Sequence, residues 1–536
     1  MGPGQTLKYA ALGIAFVALT QAGAAAGYDV AEKSIVQLQA DMTAGRISSE
    51  QLVRDYLSRI DRLDRAGPTL QSVIAINPDA IAEARALDQE RHASGARGPL
   101  HGIPLLIKDN IETLDPIPTT AGSLALKDNV THRDAPLVAR LRAAGAVILG
   151  KTNLSEWANI RSTQSISGWS AVGGLTRNPY ALDRNACGSS AGSGAAAASS
   201  LAAGTIGTET DGSVTCPSSI NGIVGLKPTV GLVPRTFIVP ISHSQDGAGP
   251  MTRTVADAAA LLNVMAGSDA SDLATAPADA GKQDYVAALQ SASLKGARLG
   301  ILKVEGGADF STDPLFAAAV AAMKSAGAEI VTLPSVKVPD SVGDDELKVL
   351  LFELKSDLNA YLATTPDAVK TRTLADVIAF NKATPRELVL FNQDLFEKAE
   401  ADAGLDDPGY IKARADNIQY ARSTLDKLLI DNKLDALITP TSSPSWRIDI
   451  VRGDRAAGEG ASLPAIAGYP HLTVPMGYVK GLPVGLSFIG PAWSEAKLLA
   501  YGYVYEQATK MRKPPSFLPT LEAAPEITRA FAKGNN

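Results

Sequence analysis

The stretch from residue 187 to residue 228 constrains this chain most, because it is too rich in glycine and hydroxyl side chains to pack as an ordinary apolar core. It contains Cys-Gly-Ser-Ser-Ala-Gly-Ser at 187–193, Gly-Thr-Glu-Thr-Asp-Gly-Ser at 207–213 and Gly-Leu-Lys-Pro at 225–228. Glycine permits tight turns and a close approach of the backbone to a ligand. The stretch therefore predicts turns that present Ser189 and Ser213, held by a core that the rest of the chain must supply.

Short apolar runs alternate with helical patterns around this stretch, which is typical of an α/β fold with helices on both faces of a sheet. The helix predicted at 49–63 begins with a Ser-Ser-Glu-Gln sequence that resembles a capping box. A strand–helix–strand unit is predicted over 298–333. The other predicted elements are strands at 72–76, 104–107, 146–149, 436–439 and 481–489, and helices at 135–144, 254–265 and 495–509.

Residues 340–430 are more charged and mostly helical in pattern, with the strongest periodicity at 346–362. We interpret this segment as a helical cap inserted into a single domain that spans residues 28–536. Insertions on a rigid scaffold commonly carry function. We therefore expect the helix at 346–362 to shape a substrate pocket.

The first 27 residues have the pattern of a signal peptide. Lys8 provides a positive charge, residues 9–19 are apolar, and residues 22–26 are small. An apolar run of this length is too short to cross about 30 Å of hydrocarbon. We expect export, so that the mature chain, which contains no further apolar span, is secreted or periplasmic.

Charge and composition exclude several functions. The 50 basic and 56 acidic residues give a net charge of −6 without a Lys/Arg-rich block, which disfavours a nucleic-acid partner. The sequence contains no phosphate-binding G-x-x-x-x-G-K-[ST] motif, and we expect no cofactor.

Five histidines lack metal-ligand spacing: His92, His101, His132, His243 and His471. Cys187 and Cys216 are either free thiols or one bridge.

Lys108 and the two serines are candidates for acyl-transfer chemistry. A serine hydroxyl needs an adjacent base, and lysine can act as that base only when burial lowers its pKa. Lys108 ends the apolar run 105–107, which favours burial, but a surface lysine paired with Asp109 is the alternative. The turn at 210–213 could direct backbone N–H groups at an oxyanion.

A different serine motif has to be weighed against this one. Residues 188–192 fit G-x-S-x-G, the nucleophile elbow of α/β-hydrolases, which requires Asp and His downstream. Only His243 and His471 follow, and neither lies in a segment with a catalytic pattern. The elbow is therefore the weaker interpretation.

The ordered motifs at 108–110, 150–153, 187–193, 207–213 and 222–229 resemble those of the amidase signature family. The resemblance implies a mixed central β-sheet sandwiched by α-helices, with a helical cap. It also implies that Ser213 is the acylated nucleophile, that Ser189 relays protons and follows a cis peptide bond, and that Lys108 is the terminal base. The implied oxyanion donors are the backbone N–H groups of Thr210, Asp211, Gly212 and Ser213, and no metal is implied.

Three positions depart from the usual family pattern, namely Glu209, Asp211 and Thr215. The run 207–217 is similar to that of peptide amidases, which convert the C-terminal carboxamide of a peptide to a carboxylate and ammonia. The resemblance thus implies this activity on a peptide or small-molecule amide, and we expect a monomer. The alternatives are an amidase or esterase for aryl or aliphatic substrates, the glutaminase component of a tRNA-dependent amidotransferase, which the export signal disfavours, and an inactive binding module.

Overall fold

One mixed β-sheet organises the structure, a computed structural model that describes residue 2 and residues 28–305, 312–454 and 460–531. Apart from Gly2, the predicted signal peptide lies outside the described residues. Eleven strands form the sheet in the order β1-β3-β2-β6-β8-β7-β12-β13-β11-β9-β10, and β4 and β5 form a separate ribbon. The strands are β1 (Val73–Ile76), β2 (Pro104–Lys108), β3 (Val147–Thr152), β4 (Trp169–Ser170), β5 (Gly174–Leu175), β6 (Gly204–Glu209), β7 (Val224–Lys227), β8 (Gly247–Thr252), β9 (Arg298–Ile301), β10 (Glu329–Thr332), β11 (Ala436–Pro440), β12 (His471–Val479) and β13 (Leu482–Ile489).

Helices flank this sheet and connect its strands. They are α1 (Ile35–Thr43), α2 (Ser49–Arg59), α3 (Ala80–Ser94), α4 (Pro136–Ala143), α5 (Ala191–Ala198), α6 (Thr215–Ile220), α7 (Val255–Met265), α8 (Ala278–Gly281), α9 (Tyr285–Gln290), α10 (Asp313–Ser325), α11 (Asp340–Leu362), α12 (Leu374–Ala383), α13 (Asp394–Ala401), α14 (Pro408–Asp431), α15 (Ser462–Ala467), α16 (Glu495–Thr509) and α17 (Pro525–Phe531). No helix in the described part of the chain is both long enough and apolar enough to cross a membrane.

Strand direction determines where the chain can build a site. Strand β2 runs parallel to both of its neighbours, β3 and β6, and β9 runs parallel to β10 and β11. The other neighbouring pairs in the sheet are antiparallel. The predicted mixed α/β fold is therefore confirmed, including the parallel unit β9–α10–β10.

Apolar side chains from the sheet and its helices form the largest core. Strands β12 and β13 are buried along most of their length, and α16 packs on β12. The predicted helix at 49–63 is divided, because α2 ends at Arg59 and a π-helical turn follows at Ile60–Arg65. At its start, Ser48 Oγ accepts a hydrogen bond of 3.1 Å from the N–H of Gln51.

Four helices, α11 to α14, occupy the segment between β10 and β11. The predicted helix at 346–362 begins earlier, at Asp340. Within it Phe352 stacks on Tyr410 of α14, with ring centroids 5.4 Å apart. Phe352 therefore packs α11 against α14.

Candidate active site

The candidate site lies at the carboxyl ends of two parallel strands. Lys108 is the last residue of β2, Glu209 is the last residue of β6, and Ile107 pairs with Ile206 in the register between them. Because parallel strands end at the same edge, the turns that follow them meet there, which is where ligands commonly bind in open α/β sheets. The sheet topology thus brings Lys108 to the turn that carries Ser213.

Lys108 is completely buried and hydrogen-bonded. Its Nζ lies 2.7 Å from Ser189 Oγ, 2.8 Å from Thr208 Oγ1 and 3.1 Å from the carbonyl oxygen of Thr208. Burial lowers the pKa of Lys108 to about 7, although the nearby carboxylates of Asp246 and Glu209 favour the charged form. A substantial neutral fraction therefore exists near pH 7, as a lysine base requires.

The alternative environment for Lys108, a surface lysine paired with Asp109, is wrong. Asp109 is also buried, and its Oδ1 lies 3.9 Å from the Nζ of Lys151. Its other oxygen accepts a hydrogen bond from the hydroxyl of Thr120. The side chains of Lys108 and Asp109 have different partners, because Lys108 ends β2 and Asp109 lies in the turn that follows it.

Ser189 and Ser190 lie in the turn that leads into α5. The peptide bond between Gly188 and Ser189 is cis. Ser190 Oγ donates to the carbonyl oxygen of Thr208 at 3.0 Å, and its N–H donates to the carbonyl oxygen of Ser213 at 3.1 Å. A Cβ at Gly192 would lie 2.3 Å from the carbonyl oxygen of Asn153, so only glycine permits this approach of α5 to the chain after β3.

The nucleophile-elbow alternative finds no histidine at Ser190. The ring of His243 lies 2.9 Å from Asp357, and His471 Nε2 lies 2.6 Å from Ser487 Oγ. Within the described residues, neither ring is hydrogen-bonded to Ser190. Ser190 instead connects the turn that carries Ser189 to the turn that carries Ser213.

The turn at 210–213 presents unused backbone donors. Gly212 has φ +75°, a left-handed conformation that glycine adopts without strain. The N–H groups of Asp211, Gly212 and Ser213, and the Oγ of Ser213, have no hydrogen-bond partner among the described residues. Such a turn can direct donors at a developing oxyanion.

Glu209 holds the C-terminal side of this turn. Its Oε2 accepts hydrogen bonds of 2.6 Å and 2.8 Å from the N–H groups of Val214 and Thr215, at the start of α6. The carboxylate of Asp211 accepts a hydrogen bond of 2.7 Å from Ser462 Oγ, and burial raises the pKa of Asp211 to about 6. The residues that depart from the usual family pattern thus anchor the turn at both sides.

The two cysteines form a disulfide, which decides between the alternatives left open by the sequence. Cys187 immediately precedes the cis bond before Ser189, and Cys216 follows Ser213 in α6. The bridge therefore ties the two serine-bearing turns together covalently.

Sequence reasoning missed three side chains that support these groups. Thr208 Oγ1 accepts hydrogen bonds from Lys108 and, at 3.0 Å, from Asn110 Nδ2. Asp246 accepts a hydrogen bond of 2.6 Å from Thr210 Oγ1. Thr208 belongs to β6, whereas Asn110 lies in the turn after β2, where the N–H of Ile111 donates to the carbonyl oxygen of Lys108 at 3.0 Å, so strand periodicity alone does not bring the two side chains together.

One group of possible metal ligands lies near the site, formed by His243, Glu353 and Asp357, whose ligand atoms are within 4.8 Å of one another. Four donors already surround the carboxylate of Glu353: Ser242 Oγ, the N–H and Oγ of Ser244, and the hydroxyl of Tyr410. Arg414 Nε lies 3.6 Å from the same carboxylate. Because its oxygens already accept these hydrogen bonds and lie near a guanidinium, the Glu353 carboxylate links α11 to the loop 242–244 and is poorly suited to binding a metal cation.

Comparison with known proteins identifies the family. The family model "Amidase" matches residues 51–499. A "Probable amidase" of Arabidopsis thaliana is 40% identical over 504 residues, which cover 92% of this chain and 93% of that protein. A "Putative amidase" of Arthroderma benhamiae is 36% identical over 511 residues, which cover 89% of this chain and 82% of that protein.

Solved structures agree with the sequence comparison. The native peptide amidase of Stenotrophomonas maltophilia superimposes with a TM-score of 0.86 and is 52% identical, over 91% of this chain and 99% of that one. A peptide amidase in complex with the competitive inhibitor chymostatin gives a TM-score of 0.87 at 52% identity, with the same coverage. The match along most of the chain and the amidase signature fold lead to one conclusion: this protein belongs to the amidase signature family and is an amidohydrolase.

Proposed function

We propose that this amidohydrolase converts the C-terminal carboxamide of peptides to a carboxylate and ammonia through an acyl-enzyme. The contact of 2.7 Å between Lys108 Nζ and Ser189 Oγ carries the proposal. It places a buried lysine with a lowered pKa against a serine whose neighbour is hydrogen-bonded to Ser213. Lysine, relay serine and nucleophile thus lie along one edge of the sheet.

In the proposed reaction Ser213 Oγ attacks the amide carbon and forms the new C–O bond. Its proton passes to Ser189, while Ser189 gives its own proton to neutral Lys108. The C–N bond then breaks, and the same path returns one proton to the leaving nitrogen, so that ammonia departs. Water hydrolyses the acyl-enzyme, which releases the acid and restores the hydroxyl of Ser213.

The N–H groups at 211–213 are the proposed oxyanion donors, together with that of Thr210. A preorganised donor of this kind contributes about 3 kcal/mol to transition-state stabilisation. Thr210 is itself positioned, because its side chain donates to Asp246. The donors at 211–213 have no partner among the described residues, which supports this role, since a bound oxyanion would satisfy them.

Similarity to peptide amidase supports the substrate class. The matching structures include a peptide amidase bound to a competitive inhibitor, chymostatin. The Thr-Glu-Thr-Asp-Gly-Ser run, with the Cys-Pro that follows, departs from the usual family pattern in the direction of this subgroup. We therefore favour peptide carboxamides over other small amides.

We also propose that the protein acts outside the cytoplasm. The signal-peptide pattern of residues 1–27 is the first argument. The disulfide between Cys187 and Cys216 is the second, because structural disulfides persist mainly in oxidising compartments. Sequencing the N-terminus of the protein recovered from cytoplasmic, periplasmic and culture fractions tests this: an uncleaved chain found in the cytoplasm alone would contradict it.

The test of activity is ammonia release from an N-protected dipeptide amide by the purified protein. We expect release by the wild type, none by Ser213→Ala, and nearly none by Lys108→Ala. Ser199→Ala is a matched control, because Ser199 is buried and its hydroxyl has no partner among the described residues. Activity retained by folded Ser213→Ala, or loss of activity in the Ser199 variant as well, would refute the assigned roles.

A further inference from the structure

Helix α5 begins directly after the turn that carries Ser189, so the position of this helix sets the position of the proposed relay serine. The helix spans only eight residues, Ala191–Ala198, or about 12 Å. Ser189 immediately precedes its N-cap, Ser190. A displacement of α5 along its axis would therefore move Ser189 Oγ away from Lys108 Nζ, which lies 2.7 Å from it.

The side chains of α5 offer little that could hold the helix in place. Its sequence is Ala-Gly-Ser-Gly-Ala-Ala-Ala-Ala, so no side chain is larger than that of Ser193. Ser193 Oγ donates to the carbonyl oxygen of Ile206 at 3.0 Å and anchors the middle of the helix to β6. Dispersion attraction grows with the number of atoms in contact, and methyl groups supply few. The ends of α5 must therefore provide much of its anchoring.

Three arginines surround the carboxyl end of α5 and donate to its carbonyl oxygens. Arg253 Nη1 donates to the carbonyl oxygen of Ala197 at 3.1 Å. Arg512 Nη2 donates to that of Ala198 at 3.0 Å. Arg59 donates to the next two carbonyl oxygens along the chain, at 2.9 Å each. The last carbonyl groups of a helix lack partners within it and carry the negative end of its dipole, so guanidinium groups suit this position.

Glu32, in the segment before α1, holds one of these arginines. Its two carboxylate oxygens accept hydrogen bonds of 2.9 Å from Arg512 Nε and 2.7 Å from Arg512 Nη2. The remaining nitrogen, Nη1, donates to the carbonyl oxygen of Gly222 at 2.7 Å. The N–H of Glu32 donates to Ser200 Oγ at 3.0 Å, so Glu32 also binds the chain just after α5. Because the guanidinium is a planar fork, these contacts fix its direction and with it the end of the helix.

We propose that the arginine cluster at the carboxyl end of α5 positions Ser189 against Lys108. The cluster consists of Glu32, Arg59, Arg253 and Arg512. Its members are positioning residues, because they act through the backbone of α5. The inference rests on the proposed function, since it assigns them a part in the activation of Ser213. A shift of about 1 Å in a reacting group can lower a rate about 100-fold, so a partial loss of this anchoring should lower it about tenfold.

Arg512→Met is the principal variant, because Arg512 is partly exposed whereas Arg253 is buried. The rate constant for labelling of Ser213 by a fluorophosphonate probe measures the reactivity of this serine and does not depend on the fraction of folded protein. We expect this constant, and kcat for ammonia release per labelled site, to fall about tenfold, with KM within about twofold of wild type. Arg512→Lys keeps the charge without the fork and should recover part of the loss.

Arg140→Met is the matched control. Arg140 makes the same kind of contact at the end of α7, where its Nη1 donates to the carbonyl oxygens of Met265 and Gly267 at 2.9 Å and 3.1 Å. Helix α7 carries no candidate site residue. This variant should therefore lower Tm but leave the labelling rate constant and kcat within about twofold of wild type.

Glu32→Gln tests the same link from the opposite partner and keeps the inference testable if Arg512→Met does not fold. It should lower the labelling rate constant and kcat in the same sense, because it weakens the hold on Arg512. Unchanged constants in the folded variants would overturn the inference, and so would an equal fall in Arg140→Met. A wild type that is labelled at Ser213 but releases no ammonia would refute the proposed substrate alone, since the labelling rate constants would still decide this inference.

Discussion

The N–H of Ser190 donates a hydrogen bond of 3.1 Å to the carbonyl oxygen of Ser213, so one backbone contact joins the two serine-bearing turns. The contact is short-range in space but long-range in sequence, and the disulfide between Cys187 and Cys216 reinforces it on the same two segments. The relative position of Ser189 and Ser213, the proposed relay serine and nucleophile, is thus held by backbone and covalent links. Activity is therefore expected to depend on these links and on the charges around Lys108.

Activity should fall as the pH is lowered through about 7. Lys108 acts as a base only when neutral, and burial lowers its pKa to about 7. Below that pH the ammonium form predominates, and kcat/KM should decline about tenfold per pH unit. A pH profile of ammonia release measures this. A profile that stays flat down to about pH 5 would contradict the role of Lys108 as the base.

Asp246→Asn should shift the acidic limb of the pH profile, where activity falls as the pH is lowered, to lower pH. The Asp246 carboxylate favours the charged form of Lys108, so its removal lowers the pKa of the lysine further. The variant keeps an oxygen that can accept from Thr210. Asp357→Asn is the control, because Asp357, like Asp246, lines the cavity of about 390 Å³ beside Thr208 but is not among the charges that act on Lys108. An unmoved limb in Asp246→Asn, or an equal shift in both variants, would refute the explanation.

Glu209→Ala should lower kcat more than it raises KM. The Glu209 carboxylate holds the N–H groups of Val214 and Thr215 and thereby the turn that carries Ser213. Loss of one positioned oxyanion donor lowers kcat about 100-fold or more. We expect the loosened turn in Glu209→Ala to lower kcat by nearly as much. Glu209→Gln retains an acceptor oxygen and should recover part of the rate. If Gln and Ala variants were equally and fully active, the turn would not depend on this anchor.

Reduction of the disulfide should destabilise the folded enzyme. A bridge across 29 residues restricts the unfolded chain, and for a loop of this size the entropic contribution is about 3–4 kcal/mol. Cys187→Ser with Cys216→Ser should therefore lower Tm and reduce kcat by loosening the two turns. Thermal unfolding with and without a reductant measures the first effect. An oxidised and a reduced protein of equal Tm and equal kcat would contradict the prediction.

Local sequence patterns predicted much of the fold because each element carries its own apolar periodicity. Helix α16 begins and ends where the pattern at 495–509 does, and the parallel unit β9–α10–β10 follows from the strand–helix–strand pattern at 298–333. The π-helical turn after Arg59 was missed, because helical periodicity continues through it. The residues of α11 that line the cavity of about 390 Å³ beside Thr208 lie towards the end of that helix, at Asp357, Ala360 and Tyr361, within the predicted helix at 346–362.

The candidate site residues stand out in the sequence because of their unusual surroundings, whereas the side chains that contact them do not. Lys108 and Ser189 stand in recognisable motifs, and the structure brings them into contact. Thr208 and Asp246 act through contacts between segments that are distant along the chain, and no local pattern distinguishes a threonine that holds a lysine from one in any strand. For the same reason the sequence could not decide whether Cys187 and Cys216 are bonded, since two cysteines alone do not indicate whether their turns lie close together.

The disulfide links the two serine-bearing turns, so the state of the active site depends on the redox conditions under which the protein was produced. A chain synthesised in a reducing cytosol carries two thiols at this position, whereas a chain matured in an oxidising compartment carries the bridge. Two preparations with identical sequences can therefore differ in specific activity without any difference in purity. Counting free thiols before each assay distinguishes them and makes rates from different expression hosts comparable.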